Sequence, residues 1–316
     1  MARKLVKPEE LQHWQYTPFP SASSVRIIHL LQAKNVNDQL ECRFIETTLE
    51  SNPQYIAASY VWGDKANPST ILCHGTYLPI TRNLDAALRR FRRESEDIPL
   101  WVDSICINQQ DMMEVNHQVR LMGDIYRNAS HVYVWLGIVP VVANAGDLLR
   151  GLRWFQRGWT LQELITPKEA VFFTATWKAV GTKKSLCGAL SSLTGIPSRV
   201  LLLEESLHTA SNAQKMSWAS TRSTTREEDM AYCLLGPFDV SMPTLYGEGS
   251  RNGFRRLQEE IIKVPTNESI FAWHGKNERP GALAESPADF QNMGNVEFLG
   301  ASFLVLNDEY YLPIEG

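Results

Sequence analysis

Four apolar segments that alternate with helical segments constrain the fold of this chain more than any other feature. The first, residues 55–62, is almost continuously apolar, which is the pattern of a strand buried on both faces. The others are residues 100–107, 131–137 and 170–173. Because strand and helix alternate from residue 55 to residue 177, the sequence predicts an α/β fold with a mostly parallel sheet flanked by helices.

The regions on either side have a different character. After an arm at residues 1–22, two short apolar segments predict a β-hairpin, and beyond residue 180 short helices and one amphipathic helix at 251–264 predominate. We therefore predict three parts. They are an N-terminal arm and β-hairpin packed on the core (1–50), an α/β domain (51–178) and a mainly helical C-terminal extension (179–316).

Composition excludes several functional classes. The net charge of −4 over 316 residues gives no general attraction to nucleic acid or to an acidic membrane surface. No apolar run approaches the length of about 18 residues that a membrane-spanning helix requires. The five cysteines contain no C-x-x-C pair, the histidines show no metal-ligand spacing, and the N-terminus lacks the apolar core of a signal peptide. We predict a cytoplasmic protein with no metal site.

Polar and aromatic side chains follow each of the first three predicted strands. Because the carboxyl ends of parallel strands lie along one edge of a sheet, these side chains are candidates for a small-molecule pocket. They are Tyr60, Trp62, Gly63 and Asp64, then Asp103, Asn108 and Gln109, then Arg157, Trp159, Gln162 and Glu163. In the structural alternative, Asp64 caps a turn, Asp103 caps or pairs inside the sheet, and Glu163 pairs with Arg157 on the surface. The spacing leaves both interpretations open.

The third group lies in one motif, Arg-Gly-Trp-Thr-Leu-Gln-Glu-Leu at residues 157–164. Trp159 and Glu163 are four residues apart, a little over one helical turn, so their side chains share a face. A flat ring beside a carboxylate can hold and attack a sugar nucleotide. It is equally an ordinary half-buried start of a helix.

Three motifs, in this order, resemble those of the fungal heterokaryon incompatibility (HET) domain. They are Tyr-x-x-x-Ser-Tyr-Val-Trp-Gly-Asp at 55–64, Leu-Trp-Val-Asp-Ser-Ile-Cys-Ile-Asn-Gln at 100–109, and the motif at 157–164. Later segments, between residues 216 and 249, are similar to what commonly follows that domain. Pro237 stands where an aliphatic residue is usual and the connector at 138–153 is rather short, but neither departure touches the motifs.

This resemblance implies a role in fungal non-self recognition and regulated cell death. HET domains are thought to be distantly related to TIR domains, which would make the sheet TIR-like (flavodoxin-like). Many TIR domains carry W-C-L-x-E-L after their third strand, and catalytic ones use that glutamate to cleave NAD at the nicotinamide–ribose bond. The resemblance therefore implies that Glu163 is catalytic, that Trp159 or Trp62 stacks on a ring of the substrate, and that Arg157 meets a phosphate. NAD is then a substrate, and no cofactor is bound.

Two other functions fit the same residues. The domain could be a non-catalytic signalling module that assembles with further copies of itself. It could also be an enzyme that acts on another small molecule, such as a fungal secondary metabolite.

Overall fold

The computed structural model describes residues 12–138, 145–264, 267–275, 281–298, 303–306 and 310–313. The chain divides into two compact units. The first comprises Met1–Gln118, Asn128–Val139 and Glu169–Gly181, and the second comprises Val119–Arg127, Pro140–Lys168 and Thr182–Gly316. Parts of the predicted arm and connector, residues 1–11 and 139–144, lie outside the described residues. The domain boundaries at residues 50 and 178 stay predictions.

A nine-stranded sheet runs through the first unit. Its strands are β1 Ser24–Leu30, β2 Glu41–Thr48, β3 Ile56–Tyr60, β4 Ser69–Cys73, β5 Thr76–Ile80, β6 Ile98–Trp101, β7 His131–Trp135, β8 Ala170–Phe173 and β9 Ala179–Thr182. In space they follow the order β5-β4-β2-β1-β6-β3-β7-β8-β9. The helices between them in the chain are α1 Arg82–Phe91, α2 Asp103–Cys106 and α3 Met112–Asn128. The predicted α/β class is confirmed.

Four neighbouring strands of this sheet are parallel. Strand β3 pairs in parallel with both β6 and β7, and β7 pairs in parallel with β8. Counted along the chain, these four strands have the spatial order 2-1-3-4. Every residue of β3 is buried, as its continuous apolar pattern predicts. The carboxyl ends of the four strands therefore share an edge, which is where open α/β sheets bind ligands.

Two hairpins add antiparallel pairs to the sheet, so the complete sheet is mixed, although β2 of the first hairpin pairs in parallel with β4 of the second. The predicted N-terminal hairpin is confirmed, because β1 and β2 pair antiparallel from Ser24 opposite Thr48 to Leu30 opposite Cys42. Strand β1 also pairs antiparallel with β6, so the hairpin extends the sheet sideways. Strands β4 and β5 form the second hairpin, which turns at Gly75. Pairing with β1 satisfies the N–H and C=O groups that β6 would otherwise leave open at an edge.

The second predicted strand, residues 100–107, was wrong at its carboxyl half. Strand β6 ends at Trp101, and the short helix α2 begins at Asp103. Oδ1 of Asp103 accepts a hydrogen bond from the backbone N–H of Ser104 at 2.7 Å. Acidic and hydroxyl residues favour helix starts because their side chains satisfy N–H groups that have no partner within the helix. The apolar pattern did not reveal the change, because the residues that follow Ser104 in α2 are buried in either conformation.

The second unit is mainly helical. Its helices are α4 Ala145–Leu149, α5 Thr160–Ile165, α6 Cys187–Thr194, α7 Ser198–Leu201, α8 Asn212–Ala219, α9 Asp229–Tyr232, α10 Leu235–Phe238 and α11 Ser250–Ile262. The predicted amphipathic helix is confirmed as α11, which buries Phe254, Leu257 and Ile261. A small antiparallel sheet follows, with β10 Glu297–Phe298, β11 Phe303–Leu306 and β12 Tyr310–Pro313. Within the described ranges, no helix is long and apolar enough to cross a membrane.

Candidate functional site

In the first unit, the segment that follows β3 is hydrogen-bonded to helix α2. The indole Nε1 of Trp62 donates to Oδ2 of Asp103 at 2.7 Å. The other carboxylate oxygen of Asp103 accepts from Ser104, so both oxygens have a donor. Both Trp62 and Asp103 are half-buried. The carboxylate is therefore oriented from two sides while part of it stays accessible.

Two more predicted residues join this cluster. The hydroxyl of Tyr60, the last residue of β3, lies 2.6 Å from Oγ of Ser104. The side-chain amide of Gln109 donates to the backbone oxygen of Asp103 at 3.0 Å. The structure thus brings together Tyr60, Trp62, Asp103 and Gln109, which the sequence placed at the ends of two neighbouring strands.

Gly63 and Asp64 shape the turn after Trp62. Gly63 has φ +77°, and a Cβ added there would lie 2.6 Å from the amide nitrogen of Asn83, which itself donates to the backbone oxygen of Val61 at 2.9 Å. Asp64 is exposed, and its Oδ1 accepts from the backbone N–H of Ala66 at 2.9 Å. For Asp64 the structure matches the alternative in which its carboxylate caps a turn.

Asn108 is held by a buried ion pair that the sequence analysis missed. Its backbone N–H donates to Oε1 of Glu114 at 2.6 Å. Both oxygens of Glu114 also accept from the guanidinium of Arg26, at 2.5 and 2.9 Å, and Arg26 is 1% exposed. The sequence did contain a signal for this ion pair. Arg26 interrupts the apolar residues of β1, and a charge buried in a strand requires a partner.

In the second unit, the motif at 157–164 contains helix α5, all six residues of which are buried. The indole Nε1 of Trp159 donates to Oδ2 of Asp229 at 3.2 Å, and the hydroxyl of Tyr246 donates to Oδ1 at 2.9 Å. Burial raises the pKa of Asp229 above its usual value, and these two hydrogen bonds act against that rise. The bond between Trp159 and Asp229 was not predicted from the sequence.

Glu163 lies inside the second unit and not at its surface. It is 5% exposed, so the alternative of a surface ion pair is wrong. Its charge interacts with that of Arg222, which is 7% exposed. Burial lowers the pKa of Arg222 to about 10, whereas Cys233 and the negative charge of Glu163 act to raise it. The guanidinium therefore remains charged at neutral pH.

Arg222 also fixes the start of the motif. Its Nη1 donates to the backbone oxygen of Arg157 and to Oγ1 of Thr160, each at 2.9 Å. The hydroxyl of Thr160 in turn donates to the backbone oxygen of Trp154 at 2.6 Å. Arg157 therefore contributes only its backbone carbonyl to this network. The predicted contact between its side chain and a phosphate stays a prediction.

Gln162 is a buried side chain that lies beside two glycines. It is 1% exposed, and its Nε2 has no hydrogen-bond partner among the residues that the structure describes. A Cβ added at Gly236 would lie 2.8 Å from Oε1 of Gln162, and one added at Gly123 would lie 3.9 Å from it. The amide of Gln162 therefore fills space that two glycines leave open.

The predicted site residues thus form two groups, one in each unit. The described side chains contain no cluster of three or more His, Cys, Asp and Glu residues that could hold a metal ion.

Residues 55–140 match the family model described as "Heterokaryon incompatibility protein (HET)". The chain carries a HET domain. The matched residues run from the residue before β3 to just beyond β7, so they include Trp62, Asp103 and the ion-paired Glu114. The motif with Trp159 and Glu163 lies past the end of the matched segment.

Two curated relatives extend the comparison. The HET-domain chain is 38% identical over 174 residues to vegetative incompatibility protein HET-E-1 of Podospora anserina, which covers 52% of this chain and 12% of the relative. It is 38% identical over 144 residues to heterokaryon incompatibility protein 6, OR allele, of Neurospora crassa, which covers 42% of this chain and 21% of the relative. The alignments thus span about an eighth and a fifth of the two relatives. No solved structure matches the chain.

Proposed function

We propose that this HET-domain chain acts in fungal non-self recognition and regulated cell death in the cytoplasm, and that it does so by cleaving NAD at the nicotinamide–ribose bond. The word "incompatibility" in the names of both relatives supports the first part. The second part rests on one observation: Glu163, the motif's carboxylate, is buried beside a charged guanidinium and one helical turn after an indole.

The strand order gives independent support for a TIR-like domain. The order 2-1-3-4 of β6, β3, β7 and β8 is that of the first four strands of a flavodoxin-like sheet. In such a sheet the chain leaves the first and third strands in opposite directions, which opens a crevice outside their carboxyl ends. Trp62 follows the first of these strands.

In the proposed reaction, the bond between the ribose C1′ and the nicotinamide nitrogen breaks. Nicotinamide leaves as a neutral molecule with the bonding electron pair, and positive charge develops on the ribose. Water then adds at C1′ and releases a proton, so NAD and water give nicotinamide, ADP-ribose and H⁺. The carboxylate of Glu163 stabilises the developing charge, and loss of one such electrostatic contact costs about 3 kcal/mol of barrier or more.

The indole of Trp159, which lies in the same unit as Glu163, is suited to the charged nicotinamide ring. Trp159 precedes α5, and its ring nitrogen is held by Asp229. Indoles are the best aromatic partners for cations, so a positively charged ring can stack on this one.

The decisive experiment incubates the purified chain with NAD and measures nicotinamide and ADP-ribose by liquid chromatography. We expect both products from the wild type, and a loss of about 100-fold or more in rate with Glu163→Gln, which keeps the size of the side chain. Glu169→Gln, at an exposed glutamate, is the matched control and keeps full activity. Equal rates for Glu163→Gln and wild type, with unchanged melting temperature, would refute the catalytic role.

A non-catalytic signalling module is the second candidate, and the comparisons favour it in one respect. The alignments cover only 12% and 21% of the relatives, so the similar region is a small part of much longer proteins. A module of that kind would assemble with further copies of itself. Light scattering that shows concentration-dependent oligomers, together with no release of nicotinamide at any concentration, would favour this candidate over the enzyme.

A further inference from the structure

The second unit contains a cavity of about 250 Å³ that none of the proposed catalytic roles uses. Its apolar walls include Leu152, Phe155, Leu193 and Trp218, and Arg222 adds a charged group. The volume is somewhat below the range of about 300–1,000 Å³ that is typical of sites for drug-sized ligands. A ligand of this cavity would therefore be small.

The guanidinium of Arg222 is only partly used by the protein. Nε donates to the backbone oxygen of Trp218 at 3.1 Å, and Nη1 donates to Arg157 and Thr160. Nη2 has no hydrogen-bond partner among the described residues. Arg222 is also one of the residues that line the cavity, so a ligand there can approach its guanidinium.

The mouth of the cavity is polar. Gln156 and Thr221 line it and are both exposed, whereas Phe155, Trp218 and Arg222 are buried. A ligand can thus enter between an amide and a hydroxyl and reach two aromatic rings and one cation. Neither Asp nor Glu contributes to the lining.

We propose that this cavity binds a small aromatic carboxylate, with the carboxylate on Nη2 of Arg222 and the ring against Phe155 and Trp218. A guanidinium donates strong, charge-assisted hydrogen bonds to a carboxylate, and it pairs with one better than an ammonium does. Phe155 and Trp218 line the same cavity, and a flat apolar ring packs against them better than a bare inorganic anion does. This inference goes beyond NAD cleavage and does not require that reaction to occur.

The test is calorimetric titration of the full chain with benzoate, benzamide and inorganic phosphate at constant ionic strength. Benzamide has the same ring without the charge, and phosphate has the charge without the ring. We expect saturable one-to-one binding of benzoate that is at least about tenfold tighter than that of either other probe. Absence of benzoate binding overturns the proposal, as does equal binding of benzamide, or binding of phosphate in preference to benzoate.

Two substitutions at exposed positions test whether the ligand binds in the cavity. Neither changes a buried residue that bonds to Arg222. Gln156→Glu adds a carboxylate at the mouth that competes for Arg222, and we expect it to weaken benzoate about tenfold. Thr221→Trp blocks the mouth and should abolish binding. Gln291→Glu and Thr209→Trp, at exposed positions outside the lining, are the controls and should bind like wild type. Benzoate binding that Gln156→Glu and Thr221→Trp leave unchanged would overturn the assignment to this cavity.

Discussion

The indole nitrogen of Trp62 donates a 2.7 Å hydrogen bond to Oδ2 of Asp103, joining two motifs that lie about forty residues apart in the chain. The bond orients the carboxylate at the shared edge of the parallel strands. Its strength can be measured separately from the packing of the ring.

A double-mutant cycle of Trp62→Phe and Asp103→Ala should give a coupling energy of about 1.5 kcal/mol, the low end for a hydrogen bond to a charged group, because both residues are half-buried. Urea denaturation of the four proteins provides the values. A cycle of Trp177→Phe and Asp103→Ala is the control. The ring of Trp177 is also half-buried, but it stacks on Phe173, with 3.8 Å between the ring centroids. Similar coupling in both cycles would contradict a specific bond between Trp62 and Asp103.

The buried pair of Arg26 and Glu114 should dominate the electrostatic contribution to stability in the first unit. Glu114→Gln removes the buried charged partner of Arg26 and leaves only the partly exposed carboxylate of Glu46, 3.8 Å from its Nε. We therefore expect a loss of about 3–5 kcal/mol in the free energy of unfolding. Glu259→Gln is the control, because its pair with Arg255 is exposed and should be worth less than about 1 kcal/mol. Guanidinium is unsuitable as denaturant here, since it screens both pairs, so urea is used.

The double variant Arg26→Met with Glu114→Leu tests the cause of that loss. Replacing a buried ion pair by apolar residues is often neutral or stabilising, so the double variant should recover most of the lost stability. If it were as unstable as Glu114→Gln, then the hydrogen bond from Asn108 to Glu114, and not the unpaired charge, would account for the effect.

Gly63→Ala should destabilise the chain more than Gly75→Ala. Both glycines have positive φ, +77° and +84°, so each alanine carries a backbone penalty of about 1 kcal/mol. A Cβ at Gly63 also meets the amide of Asn83 at 2.6 Å, whereas one at Gly75 meets nothing within 4 Å. Gly75→Ala measures the backbone penalty alone. If urea titrations gave the same loss in free energy of unfolding for both variants, Asn83 would have to move aside freely.

Asp229 should give the stability a pH dependence of unusual sign. Burial raises its pKa above the usual 3.8, so the folded state binds the Asp229 proton more tightly than the unfolded state does. The stability that this proton contributes is fully present below pH 3.8 and is lost as the pH rises through the raised pKa. The free energy of unfolding of the wild type, minus that of Asp229→Asn, should therefore be more favourable at pH 4 than at pH 7. Urea denaturation at several pH values measures it, and a difference that grew with pH would contradict the burial of this carboxylate.

Local patterns in the sequence were sufficient to predict the elements that depend only on residues near one another in the chain. The buried strand β3 and the amphipathic helix α11 follow from apolar periodicity. The meeting of Trp62 and Asp103 followed from the rule that parallel strands share an edge. That rule succeeded even though Asp103 begins a helix and does not end a strand.

Contacts between distant residues could not be predicted in this way. Arg26 and Glu114 are 88 positions apart, and Trp159 and Asp229 are 70 positions apart. Each pair exists because burial makes an unpartnered charge or N–H group costly, and the sequence shows the cost without showing the partner. The burial of all six residues of α5 was missed for a similar reason, since polar residues in a short helix suggest exposure.

The hydrogen bond from Arg222 to Arg157 also sets an order of events during synthesis. The two residues are 65 positions apart, so at translation speeds of about 5–20 residues per second the guanidinium emerges roughly 3–13 s after the carbonyl it binds. Until then the start of α5, with Trp159 and Glu163 beside it, lacks the donor that fixes it. A nascent chain is therefore unable to complete the glutamate motif until Arg222 has been made, which delays any activity of that motif by the time needed to synthesise the intervening residues.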